Sequence, residues 1–124
     1  MYATESSEMY LENILVLSER QEVVRAIDIT HYSGYSKPSV SRAMGILKQN
    51  GHIVVDGRGH ITLTSTGRAI AEKILERHRI LTALLIKLGV DPETASADAC
   101  KIEHDISDTT FDALKRYAEG LAQN

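Results

Sequence analysis

A chain of 124 residues with 43% apolar content, no Trp and one Phe can build one small domain or two coupled subdomains around a core of Leu, Ile, Val and Ala. Its single cysteine excludes an internal disulfide framework and fits a reducing compartment, and no apolar run approaches the length of a membrane span. The formal charge of −3 is uneven: residues 1–70 balance seven Lys/Arg against seven Asp/Glu, so the acidic excess falls wholly in 71–124.

Residues 5–19 predict a helix. Thr4 or Ser6 offers a cap, Glu8 suits the first turn, and Tyr10, Ile14 and Leu17 form an apolar stripe. A shorter helix is predicted from Val24 to Tyr32 and is broken at Ser33-Gly34-Tyr35, with Gly34 as the turn residue. Tyr32 and Tyr35 are expected in the core of this unit. The next helix opens at Ser36, a suitable N-cap, with Pro38 tolerated in the first turn. Val40, Ala43, Met44 and Leu47 share an inward face, whereas Lys37, Ser39, Ser41, Arg42 and Lys48 face out. Two short helices joined by a Gly-containing turn predict a helix-turn-helix.

Two β-prone runs follow, Ile53-Val54-Val55 and Ile61-Thr62-Leu63, separated by Asp56-Gly57-Arg58-Gly59; a hairpin directly after a recognition helix predicts a wing. Thr64-Ser65-Thr66-Gly67 then starts a long helix to about Leu88, with Ile70, Ile74, Leu81, Leu84, Leu85 and Leu88 apolar. At ~1.5 Å per residue it spans roughly 35 Å. Gly89 stops it, Asp91 caps a further helix with Pro92 at its first position, and Ser107 caps the last, which carries Phe111, Leu114, Tyr117 and Leu121 on one face. The predicted fold is mainly α: a winged helix-turn-helix of three helices and a two-stranded β wing over residues 1–70, then a helical metal-binding and dimerisation domain over 71–124.

Two constellations carry chemistry. In 35–68, Lys37, Arg42, Lys48, Arg58 and Arg68 face only Asp56, a local excess of positive charge to which nucleic acid would respond. Ser36, Lys37, Pro38, Ser39, Ser41 and Arg42 on the recognition helix, with Arg58 and His60 in the wing, are the candidate DNA contacts. In Cys100-Lys101-Ile102-Glu103-His104, a thiolate, a carboxylate and an imidazole recur at helical spacing and share a face. Each can ligate a transition metal. His31 and His52 have no spaced partners and read as structural or DNA-proximal.

Together with Ser7-Glu8-Met9-Tyr10-Leu11-Glu12, Leu63-Thr64-Ser65-Thr66-Gly67 and Glu76-Arg77-His78-Arg79, these motifs resemble the diphtheria-toxin-repressor family, which includes iron-dependent repressors and manganese transport regulators. The resemblance runs over nearly the whole chain. It implies a cytoplasmic, divalent-metal-activated repressor, not an enzyme. Its expected partners are a second copy of itself and palindromic operator DNA of metal homeostasis genes, with no membrane and no small organic ligand. It further implies an activating site of Met9, Cys100, Glu103 and His104, tying the DNA-reading half to the dimerising half. Manganese-type members are similar but place carboxylates at the Met9 and Cys100 positions. The soft sulfur donors favour Fe(II), Co(II), Ni(II) or Zn(II) over Mn(II); with the resemblance, Fe(II) is the expected metal, Mn(II) the alternative, and Co(II), Ni(II) or Zn(II) substitutes in vitro. His78 matches a ligand of an ancillary site, but Thr82 and Ser96 stand where that site has a carboxylate and a histidine. Glu12 with His78 is the expected second site instead. The chain end implies a short form without the Src-homology-like barrel of longer members. The competing reading is a metal-independent winged-helix regulator with Cys100 as a redox switch.

Overall fold

Side-chain caps set where four of the described helices begin. The computed structural model describes residues 5–123, and the side chains of residues 7–120. Its elements are α1 (Glu5–Arg20), α2 (Ala26–Ser33), α3 (Lys37–Gln49), β1 (Ile53–Val55), β2 (Ile61–Leu63), α4 (Ser65–Lys87), α5 (Pro92–Ile102) and α6 (Asp108–Gln123). Four of the helices start the same way, with an oxygen accepting the backbone N–H three residues on. Ser36 Oγ takes Ser39 N at 3.3 Å, Thr64 Oγ1 takes Gly67 N at 3.2 Å, Asp91 Oδ2 takes Thr94 N at 3.0 Å and Ser107 Oγ takes Thr110 N at 3.1 Å. Each such cap contributes about 1 kcal/mol by satisfying a donor that the helix itself cannot. Of the expected caps on α1, Thr4 lies outside the described residues, as do the side chains of Ser6 and of Leu121 on α6.

The chain divides within α4 into one unit up to Lys73 and a second from Ile74. In the first, α1 packs against α2, α3 and β2. Leu11, Ile14 and Leu15 of α1, Ile29 of α2, Val40, Met44 and Leu47 of α3, and Ile53 and Ile61 of the hairpin are buried. Each such aliphatic side chain contributes about 1.5–3 kcal/mol from removal of its surface from water. The two strands are antiparallel, pairing Ile53 with Leu63, Val54 with Thr62 and Val55 with Ile61. Buried positions of the second unit include Ile74, Leu75, Leu81, Leu84, Ala95, Ala99 and Phe111. The mainly helical architecture, with three helices and a two-stranded wing followed by helices, is the predicted fold class.

One helix boundary is refined and two local expectations are corrected. The second helix starts at Ala26, because the carbonyl of Val24 accepts Ile61 N at 2.8 Å and keeps that segment extended beside β2. Tyr32 and Tyr35 are not core residues: they are 42% and 41% exposed. Their rings serve the rim, Tyr32 under the Arg20 guanidinium at 5.5 Å and Tyr35 against Tyr10 at 5.7 Å. The helix carrying Cys100 ends at Ile102, so Glu103 is its C-cap and His104 lies in the turn beyond. Glu103 keeps right-handed helical angles, and its N–H bonds the Ala99 carbonyl at 2.9 Å. The three-and-four spacing therefore survives past the helix end.

Gly34 permits the turn between α2 and α3, with φ of 77° and its N–H on the Thr30 carbonyl at 3.0 Å. Gly67 is needed for another reason. A Cβ there would stand 2.0 Å from the His52 carbonyl oxygen, which itself accepts Thr64 N at 3.0 Å. Gly67→Ala is expected to lower unfolding stability by about 2–3 kcal/mol through this backbone clash. Gly45→Ala, in open space on α3, is expected to raise it by about 0.5–1 kcal/mol. Urea unfolding of both variants checks the contrast.

Candidate metal centre and nucleic-acid face

On α3 the side chains of Lys37, Pro38, Ser39, Ser41 and Arg42 are exposed, and Val40, Met44 and Leu47 anchor the opposite face. Ser36 is exposed too, but its hydroxyl is committed to the cap, accepting Ser39 N and donating to Ser39 Oγ at 2.9 Å. The hairpin is stiffened by Asp56, whose Oδ1 accepts Arg58 N at 2.8 Å and His60 N at 2.9 Å. Those two backbone donors, His60 first, hold the Asp56 carboxyl below its ordinary 3.8. Arg58 is exposed at the loop. His60 instead turns toward the protein. Its Nε2 meets Arg25 Nη2 at 2.9 Å and its Nδ1 lies 3.5 Å from Asp56 Oδ2. Because arginine only donates, Nε2 must accept, which puts the ring proton on Nδ1, facing the carboxylate. Arg25 also donates Nε to the Arg58 carbonyl at 3.5 Å. Arg25 is thus a brace for the wing that the sequence reading missed; residues 33 and 35 positions apart leave no local signal.

The second unit gathers the metal-ligating residue types. Cys100, Glu103 and His104 each offer one ligand atom, and these atoms lie within 4.8 Å of one another. Glu103 is fully buried, the His104 side chain is 2% exposed and Cys100 is half-buried. Glu103 spans two imidazoles. Its Oε2 meets His78 Nδ1 at 2.9 Å, and its Oε1 faces His104 Nε2 at 3.3 Å in ion-pair contact rather than hydrogen-bond geometry. His78 Nε2 meets Ser96 Oγ at 3.3 Å, so Ser96 hydrogen-bonds the imidazole in the place where a histidine ligand was looked for. Thr82 offers only a buried hydroxyl with no hydrogen-bond partner among the described residues. Arg77, buried and stacked on Phe111 at 5.3 Å, secures the turn that carries the cluster. It donates to the carbonyls of Glu103 at 3.0 Å and Ile106 at 2.9 Å, and to the Asp108 carboxylate. Arg77 was legible only as part of a motif.

These donors fit a divalent transition metal. A thiolate, a carboxylate and an imidazole with bond lengths near 2.0–2.3 Å surround one ion at mutual separations of about 3–4 Å. The separation of Glu103 Oε1 from His104 Nε2 lies in that range. A fully buried carboxylate also calls for compensating positive charge. Met9 and Glu12 lie on α1, in the first unit, where Glu12 is buried and Met9 half-buried. The Met9 sulfur accepts a hydrogen bond from Tyr35 Oη at 3.1 Å.

A helix-turn-helix with a wing, followed by helices bearing a metal-ligand cluster, defines a class of metal-binding transcriptional regulators. Residues 3–61 match the N-terminal DNA binding domain of iron dependent repressors, and residues 64–124 match their metal binding and dimerisation domain. The chain is 32% identical over 118 residues to an HTH-type transcriptional regulator of Methanocaldococcus jannaschii, covering 94% of both. It is 32% identical over 105 residues to the iron-dependent repressor IdeR of Mycobacterium leprae, covering 84% of this chain and 46% of that protein. The structure of the manganese regulator SloR superposes with a TM-score of 0.83 at 26% identity, covering 96% of this chain and 55% of that one. The chain thus spans about half the length of IdeR and SloR. It belongs to the iron dependent repressor family, a family of transcriptional regulators and not of enzymes.

The wing yields a pH prediction. Because folding lowers the Asp56 pKa, its contribution is present above about 3.8 and is lost as pH falls through the folded value. A carbon-detected NMR titration should give Asp56 a midpoint below 3.8, with the Arg58 and His60 amides exchanging faster once it protonates. A midpoint at or above 3.8 contradicts the assignment.

Proposed function

We propose that this chain is a cytoplasmic, Fe(II)-responsive repressor that binds a palindromic operator as a homodimer and controls metal homeostasis genes. The observation that carries the reading is the convergence of Cys100, Glu103 and His104 on a chain that also holds an exposed recognition helix. Cys100 would contribute a thiolate, Glu103 a carboxylate oxygen and His104 an imidazole nitrogen; Met9 joins them through the family resemblance. Bound there, a divalent cation supplies the positive charge that the buried carboxylate and the thiolate call for. Two sulfur donors support iron over manganese, since softer ligands suit the later transition metals. Glu12 and His78 form the proposed second site.

Residues 1–70 are the proposed DNA-binding domain and 71–124 the metal-binding and dimerisation domain. Lys37, Ser39 and Ser41 would reach phosphates, Arg42 a guanine or phosphate, Pro38 a thymine methyl, and Arg58 the backbone or minor groove. Ser36 and His60 act beside them by capping α3 and bracing the wing, as their hydrogen bonds support. Met9 sits on α1, which packs on α2, α3 and β2, so ligation of its sulfur would bear on the reading unit through that unit's own core. Dimerisation is supported by Leu88 and Tyr117, 78% and 64% exposed, which with Leu84 and Leu114 line a groove of about 340 Å³. A second copy is the proposed occupant.

The test is a metal-by-metal DNA-binding titration without oxygen. Fe(II) should tighten operator binding about 5- to 150-fold, the usual range of such coupling, and a chelator should reverse it. His104→Ala should keep the fold and lose the response. Equal affinity with and without every divalent metal would exclude the reading.

A further inference from the structure

Tyr35 closes the turn before the recognition helix, yet its hydroxyl is spent on a sulfur atom. Its backbone is held on both sides: Gly34 precedes it in the left-handed region, its own N–H donates to Ser33 Oγ at 3.2 Å, and the α3 cap Ser36 follows. The Tyr10 ring, 6% exposed, walls it in at 5.7 Å with a 55° tilt. Tyr35 is itself 41% exposed. Its hydroxyl donates to Met9 Sδ at 3.1 Å. Methionine has three rotatable side-chain bonds and few preferred partners, so one hydrogen bond is enough to choose where its sulfur points. Met9 and Tyr35 both line a cavity of about 350 Å³ whose walls also include Ser39 and Arg42, two exposed residues of α3.

We propose that Tyr35 is a positioning residue for the Met9 thioether, holding its sulfur at the turn before α3 and competing with a divalent cation for it. The inference rests on the reading of Met9 as a metal ligand. A thioether is a weak donor, and the lone pair that accepts O–H is withdrawn from ligation. For Met9 to bind a cation, the O–H···S bond must be exchanged. Tyr35, whose hydroxyl would be released, immediately precedes the α3 cap Ser36 and lines the same cavity as Arg42. Ligation of Met9 would thereby change a hydrogen bond in the turn before α3, in the same unit as Met9.

A double-mutant cycle with Co(II) alone, titrated by absorbance under argon, tests this. Tyr35→Phe keeps the ring and removes the hydroxyl; Met9→Leu keeps the volume and removes the sulfur. Tyr35→Phe should raise Co(II) affinity about two- to tenfold, the worth of one net hydrogen bond, and should have no effect in the Met9→Leu background. In methyl-labelled protein without metal, Tyr35→Phe should also shift the Met9 methyl resonance, a change that a general loosening of the fold would not confine to that group. If Met9→Leu weakens Co(II) binding but Tyr35→Phe leaves it unchanged or weakens it, the role of Tyr35 is overturned while Met9 stands as a ligand. If Met9→Leu leaves Co(II) affinity unchanged, the Met9 reading falls and this inference falls with it.

Discussion

A carboxylate without exposed surface has to be met by hydrogen bonds and positive charge, because water no longer solvates it. Glu103 is such a group. Its two oxygens are met by His78 and His104, and its backbone carbonyl is gripped by Arg77. The rest of the second unit follows from holding it there. Asp91 and Pro92 start α5 at the register that brings Cys100 to the same side, and Ser107 starts α6 after a turn that Arg77 fastens at Ile106 and Asp108. Without either histidine, one oxygen of the buried carboxylate would lose the group that faces it. The cation proposed at this cluster would add a further partner for the same buried carboxylate.

The first unit is organised around a different constraint. Its reading face must be exposed and polar, yet fixed in direction. Val40, Met44 and Leu47 sink one side of α3 into the core so that Lys37, Ser39 and Arg42 are presented on the other. The Ser36 cap fixes where the helix begins, and Arg25 and Asp56 fix the wing beside it. Rigid presentation lowers the ordering cost on binding DNA, which is where a small domain gains specificity. Tyr35 and Met9 add a hydrogen bond between α1 and the turn that leads into this face.

Much of this was legible in the chain because the relevant signals are local. Caps at Ser36, Asp91 and Ser107, the turn at Gly34 and the hairpin between Val55 and Ile61 each depend on residues within a few positions of one another. The Cys100, Glu103 and His104 cluster was legible for the same reason, and it survived the end of α5 only because Glu103 kept helical angles. What escaped was long-range. Tyr32 and Tyr35 were assigned to the core on aromatic character, whereas a cation and a sulfur atom from α1 hold them at the rim. The Val24 carbonyl was claimed by β2 across the fold, which shortened α2. Arg25 and Arg77 act on groups more than twenty residues away, and no periodicity announces such partners.

If Cys100, Glu103 and His104 ligate one divalent cation, as proposed, the coordination sphere itself will show it. X-ray absorption of the Co(II)-loaded chain should show one equivalent of metal with at least one sulfur and several nitrogen or oxygen ligands. The sulfur contribution should diminish in Cys100→Ser. A metal with only nitrogen and oxygen neighbours, or a chain that retains no stoichiometric metal after dialysis, would contradict the account.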